Sequence, residues 1–139
     1  LERPFEMRSV FQIGSAEWAE NRSWSPVWVR YQGELNLSMS DTPNISAALL
    51  AYASDMGLVS TGFLPHQTIT NRSKLQMASL DHSLWIHRAA PLDEWLLFHK
   101  RTSTAQSSRG MVHSEFLAES GVLVASMSQE GLLRKRRSD

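Results

Sequence analysis

Three places along this chain set polar groups where apolar ones are expected, and each is either structural or placed for chemistry. Asp55 is the sole charged residue between Asp41 and His66. A carboxylate in the last turn of a helix opposes the negative end of the macrodipole, at about 0.3–1 kcal/mol, so Asp55 is either solvated beside Gly57 or held for a purpose. Gln129 shares a period-two face with Leu123, Ala125 and Met127. Its amide has two N–H donors and a carbonyl to satisfy, so it either ties down backbone or orients a reactant. The third place is the cluster Ser79-Leu80-Asp81-His82-Ser83. It does not read as a local Ser-His-Asp triad: neighbouring Asp81 and His82 on a strand point to opposite faces. There is no G-x-S-x-G elbow to present a nucleophilic serine. The five histidines lack H-x-x-x-H or H-E-x-x-H spacing, so no metal site is expected, and they read as surface or strand-packing residues.

Each of these residues needs an element to carry it. Asp55 ends the best-marked helix, with Ser40 or Asp41 as cap, Pro43 in its first turn and Gly57 where a left-handed residue is wanted. Ile45, Ala48, Leu49, Tyr52, Ala53 and Met56 make one apolar stripe, and Ala47, Leu50 and Ala51 extend it. Such a helix is expected to be buried on most sides. Ser79 and Gln129 fall on strands, expected at 5–10, 24–32, 75–82, 84–89, 95–104, 110–119 and 122–133. Short connections between long runs imply antiparallel neighbours. The class is therefore α+β, one long helix covered by a curved antiparallel sheet.

The 139 residues suffice for one domain with a core that needs no disulfide or metal. The absence of cysteine removes thiolate ligands and a thiol nucleophile. Fourteen Lys and Arg balance fourteen Asp and Glu, which leaves no global charge to attract nucleic acid or an anionic membrane. No apolar run is read as reaching the roughly 18–20 residues of a membrane span, and no signal peptide is evident. The chain begins at Leu1, so it is read as processed or as a piece of something longer. Trp18, Trp24, Trp28, Trp85 and Trp95 are expected in the core or an interface, with an acyl pocket as the alternative. The basic tail 134–139 is expected to be disordered.

Several segments in order resemble one family: Tyr52-Ala53-Ser54-Asp55; Ala78-Ser79-Leu80-Asp81-His82-Ser83-Leu84-Trp85-Ile86-His87-Arg88; Asp93-Glu94-Trp95-Leu96-Leu97; Ser107-Ser108-Arg109-Gly110; and Gly121-Val122-Leu123-Val124-Ala125-Ser126 with Gln129-Glu130-Gly131. Together they resemble the acyl-CoA thioesterase II family. The D-H-S-x-W-x-H-R segment, followed about forty residues later by Q-E-G, carries the likeness, and the first forty residues match only loosely.

That resemblance implies a hotdog fold over 1–139, corresponding to the second of two such domains, and hydrolysis of fatty acyl-CoA to free acid and CoA. It implies catalytic roles for Asp55, Ser79 and Gln129, with Asp81 and His82 structural. No cofactor is expected, because coenzyme A belongs to the substrate. Oxyanion donors are expected at a helix N-terminus, with the other hotdog domain as a further source. The expected partner is a second hotdog domain or another copy, with neither nucleic acid nor membrane involved. Two rivals stand beside hydrolysis: a non-catalytic half that needs its partner, and a hotdog hydratase or dehydratase, which would want an Asp/His pair. The ending Arg137-Ser138-Asp139 is not of S-K-L type, so the cytoplasm is the expected location.

Overall fold

The computed structural model describes residues 4–12, 14–33, 42–91 and 93–136. The proposed caps Ser40 and Asp41 lie outside the described residues, as does the end of the tail, 137–139. Seven strands form one sheet: β1 (Phe5–Ser9), β2 (Val27–Tyr31), β3 (Leu75–Ser79), β4 (Ser83–Ile86), β5 (Leu96–Gln106), β6 (Arg109–Ala118) and β7 (Leu123–Lys135). Their order is β1-β2-β5-β6-β7-β3, every pairing is antiparallel, and β4 also pairs with β7. Three helices complete it: α1 (Ala16–Glu20), α2 (Thr42–Ser54) and α3 (Leu58–Phe63). A central helical stretch against one face of an antiparallel sheet is the hotdog arrangement that the sequence pattern and the resemblance both called for.

Period-two alternation sorts the sheet into two faces. On the inner face three cross-strand rows run side by side: Phe98, Phe116 and Ala125; Lys100, Ser114 and Met127; Thr102, Val112 and Gln129. Phe98 and Phe116 stack with ring centroids 4.3 Å apart at the centre of the core. One extra residue on β5, Ser103, and one on β7, Val124 opposite the Phe116–Leu117 step, shift the register. Such bulges bend a sheet and increase its twist, which lets it curve over a helix.

The helical stretch is divided, and the two parts differ in burial. Gly57, at φ 76°, takes the left-handed conformation expected of it, but the chain resumes as α3 instead of leaving the helix. α3 buries Leu58, Thr61, Gly62 and Phe63 against β5, β6 and β7. A Cβ on Gly62 would lie 3.8 Å from the Gly110 Cα, so the small residues let helix and sheet approach closely. α2 buries Ser46, Leu50, Ala53 and Ser54, whereas Ala48, Ala51 and Tyr52 are exposed. The stripe expected from the sequence is thus displaced, and α2 is covered on one side. Because that helix is apolar nearly all round, composition carried little information about which face meets the sheet. Taken as one stretch, Thr42–His66 is long and apolar enough to cross a membrane, contrary to the expectation of no such run. The break at Gly57 and the burial of α3 are what a core helix shows.

Two further expectations are corrected, and a short helix, α1, stands where no element was expected; its Trp18 N–H is accepted by the Ser15 side chain at 3.1 Å. The basic tail starts later than residue 134: Arg134 and Lys135 complete β7, where they pair with Gln76 and Leu75, because β3 offers them backbone partners. None of the five tryptophans belongs to the buried core. Arg8 and Arg30 lie over the ring of Trp95 at 4.6 and 4.7 Å, and Trp24 packs on His99 with centroids 4.6 Å apart.

Gly57→Ala forces a Cβ into the left-handed region and to 3.4 Å from the Lys100 Nζ. The expected cost is about 1–2 kcal/mol of stability, read by chemical denaturation.

Candidate active site

Asp55 stands immediately after α2. The Met56 N–H closes the last turn on the Ala53 carbonyl at 3.1 Å, and left-handed Gly57 then redirects the chain, so the Asp55 carboxylate is displayed at an exposed corner. Ser79 is the last residue of β3, and Gln129 lies in β7 with 1% of its surface exposed.

A bulge brings these elements together. β3 and β4 lie on the same edge of β7, with Ser79 opposite Gly131 and Ser83 opposite Ser128. Leu80, Asp81 and His82 therefore span the distance that Gln129 and Glu130 cover on β7, three residues against two. The extra residue is held by the Leu80 N–H on the Glu130 carbonyl at 3.0 Å and by the Glu130 N–H on the Asp81 carboxylate at 2.7 Å. A bulge shifts the alternation of side chains by one. Ser79 and His82, which regular pleating would send to opposite faces, consequently both reach Gln129.

The result is a continuous chain of hydrogen bonds. The Ser79 hydroxyl donates to the Asp55 carboxylate at 3.3 Å, and the Gln129 Nε2 donates to the Ser79 Oγ at 2.9 Å. Gln129 Oε1 meets His82 Nδ1 at 2.7 Å, and His82 Nε2 meets the Ser54 Oγ at 2.8 Å. Asp55, Ser79 and Gln129, singled out from the sequence, are thus brought together in one hydrogen-bonded cluster. Buried Gln129 anchors it in the sheet, while Asp55 and Ser79 open to solvent.

Sequence reasoning missed Ser54 and the link from His82 to Gln129. A serine beside Asp55 at the end of an apolar helix was the available signal for the first; strict alternation concealed the second. Asp81 has the structural part expected of it, since it caps the bulge. His82 does not merely support the strand, because both of its ring nitrogens face the site network. The outer-face histidines have other contacts: His87 with Ser126 at 2.9 Å, His113 with Ser128 at 3.0 Å and His99 with Glu115 at 3.9 Å.

Residues 1–133 match the family model for the acyl-CoA thioesterase C-terminal domain. The chain belongs to that family. Within it, the chain is 31% identical over 133 residues to acyl-CoA thioesterase 2 of Haemophilus influenzae, covering 96% of this chain and 45% of that protein. It is 33% identical over 137 residues to human acyl-coenzyme A thioesterase 8, covering 96% and 40%. Among solved structures, the acyl-CoA thioesterase II TesB2 of Mycobacterium marinum superposes with a TM-score of 0.80 at 33% identity, over 96% of this chain and half of that one. A thioesterase-like structure from Syntrophus aciditrophicus, at 11% identity and a TM-score of 0.73, shares the hotdog fold. The chain spans about half the length of the relatives it matches first.

One further ionisable group of this acyl-CoA thioesterase domain lies under the site. Lys100 faces inward between Phe98 and Thr102, 4% exposed, with its Nζ 4.9 Å from the Phe98 ring. It forms no ion pair among the described residues. Burial pushes the ammonium down from 10.5 to about 8. The charge lies beneath Gly57, close to the C-terminal end of α2, where a cation complements the helix macrodipole. Alternation over 95–104 already placed a lysine with Leu96 and Phe98, a signal the sequence reading passed over.

Below about pH 8 both the folded and unfolded states bind this proton, so the burial cost is fully present at neutral pH. Between about 8 and the ordinary 10.5 the folded state has released it and the unfolded state has not, so stability rises with pH across that window. Lys100→Met is expected to stabilise the fold at neutral pH by about 1–3 kcal/mol and to abolish the rise, read by denaturant unfolding at neutral and alkaline pH.

Proposed function

We propose that the full-length protein hydrolyses fatty acyl-CoA thioesters to the free acid and CoA, with Asp55, Ser79 and Gln129 handling the attacking water. The hydrogen-bonded chain from the exposed Asp55 carboxylate to the buried Gln129 amide carries this reading. An ionised carboxylate accepts a proton from water, and the serine and amide beside it offer the further contacts that hold that water in one orientation. As Asp55 takes the proton, the water oxygen bonds to the thioester carbonyl carbon. Collapse of the tetrahedral intermediate breaks the C–S bond, and the leaving thiolate takes the proton that Asp55 holds, which restores the carboxylate. A thioester needs no covalent enzyme intermediate for this, since its carbonyl is electrophilic and thiolate is a good leaving group. Holding the water in place also removes part of the entropic cost of the attack.

The assay is release of free thiol by the full-length protein across acyl-CoA substrates of short to long chain. Turnover on at least one chain length, abolished in Asp55→Asn, supports the reading. No thiol release at any length defeats it.

A second reading is favoured by one observation: the flank of α2 bearing Ala48, Ala51 and Tyr52 is apolar and exposed, with Tyr52 57% accessible. Together with the half-length coverage of the relatives, this suits a domain that works only against a second hotdog domain or another copy, which would also supply oxyanion donors. Residues 1–139 alone are then expected to lose turnover that the full-length protein shows, and a fully active monomer of 1–139 would overturn it. A hydratase is less well served, because His82 turns its ring nitrogens to Gln129 and Ser54 and not to Asp55.

A further inference from the structure

We infer that His82 is a positioning residue for this site, holding the Gln129 amide in the one orientation that serves Ser79, and that Ser54 holds His82 in turn. The inference rests on the hydrolysis reading above. The Asp55 carboxylate, when ionised, only accepts hydrogen bonds. Ser79 must therefore spend its single proton on Asp55, 3.3 Å away. Its contact with Gln129 at 2.9 Å then needs an N–H from the amide. With Nε2 facing Ser79, Oε1 faces His82 at 2.7 Å, and a carbonyl oxygen only accepts, so the proton sits on His82 Nδ1. The other ring nitrogen, Nε2, lies 2.8 Å from the Oγ of fully buried Ser54. The Ser54 hydroxyl donates to the Ala51 carbonyl at 2.7 Å, which fixes its rotamer and leaves its oxygen facing the ring.

From His82 Nδ1–H through the Gln129 amide to the Ser79 hydroxyl, each donor thus points toward the Asp55 carboxylate. A reversed amide would set the Gln129 carbonyl against Ser79 and compete with Asp55 for its proton. The Nδ1–H of His82 is the group that disfavours that reversal. It does so from the far end of the amide, through Gln129 Oε1. Ser79 and His82 can share Gln129 only because of the bulge at 80–82.

Three substitutions in the full-length protein separate the two ends of the ring. In His82→Asn the side-chain amide stands where Nδ1–H stood and still donates to Gln129. In His82→Gln the amide reaches the position of Nε2, toward Ser54, and the donor to Gln129 is lost. His82→Ala removes both. The expected result is a fall in kcat of about 10- to 100-fold for Ala and Gln with KM within about twofold, and near-normal kcat, within about threefold, for Asn. His82 is exposed, so the three variants should melt close to the parent. Normal kcat in His82→Ala, equal loss in the Asn and Gln variants, or loss of kcat only alongside loss of folded protein would each overturn the inference. Asp55→Asn run alongside distinguishes the two failures. If that variant keeps its turnover, the hydrolysis reading is what fails; if it is inactive while His82→Ala is normal, the positioning role alone fails.

Discussion

Asp55→Asn in the full-length protein should lower kcat on acyl-CoA by about 10²–10⁴-fold, the usual contribution of a positioned general base, with KM little changed. The substitution keeps shape and hydrogen bonding but removes the charge that accepts the water proton. Stability is expected to stay within about 0.5 kcal/mol or to rise slightly, because the side chain is exposed and the carboxylate opposes the C-terminal end of α2. Activity and stability therefore move independently. Steady-state kinetics beside a thermal melt on the same preparation reads both, and turnover retained within about threefold would remove Asp55 from the mechanism.

Gln129→Ala should be damaging in a different way. The amide is 1% exposed and joins Ser79 to His82, so truncation loses two hydrogen bonds and opens a small cavity between β6 and the bulge. A fall in kcat of about 10²–10³-fold is expected, comparable to losing an oriented donor at a reacting centre. Stability should fall as well, by about 1–3 kcal/mol, since buried polar partners lose their complement. Gln129→Glu keeps the volume but places a carboxylate in the core near Asp55, and it should be the less stable of the two. Wild-type turnover in Gln129→Ala, with the protein folded, would show that the amide is structural only.

The reasons for singling out these two residues differ. Asp55 stood out because it is the one charge in a long apolar stretch and opposes the negative end of its own helix, and that cost is local. Gln129 stood out because alternation put an amide on a core face, and alternation holds along β7, where Ala125, Met127, Gln129 and Gly131 are all buried. Lys100 carried an equal signal in β5 and was missed only because a single lysine in a strand is usually solvated. The face of α2 was beyond such reasoning: with apolar residues almost all round, its sequence does not distinguish the flank that meets the sheet from the flank bearing Tyr52.

The sequence alone determined the class of fold, the order of the strands and two of the three places that stood apart, because periodicity and the cost of burying polar groups act within one segment. Only the tertiary structure decided how they meet. Period two says that Ser79 and His82 lie on opposite faces, and it fails at 80–82 because β7 offers two residues where the neighbouring edge supplies three. A bulge is a property of a pair of strands, set by the register each finds on the other, so no single run of residues contains it. That one extra residue turns His82 toward Gln129, joins Ser54 to the network and makes of three separate oddities a single hydrogen-bonded site.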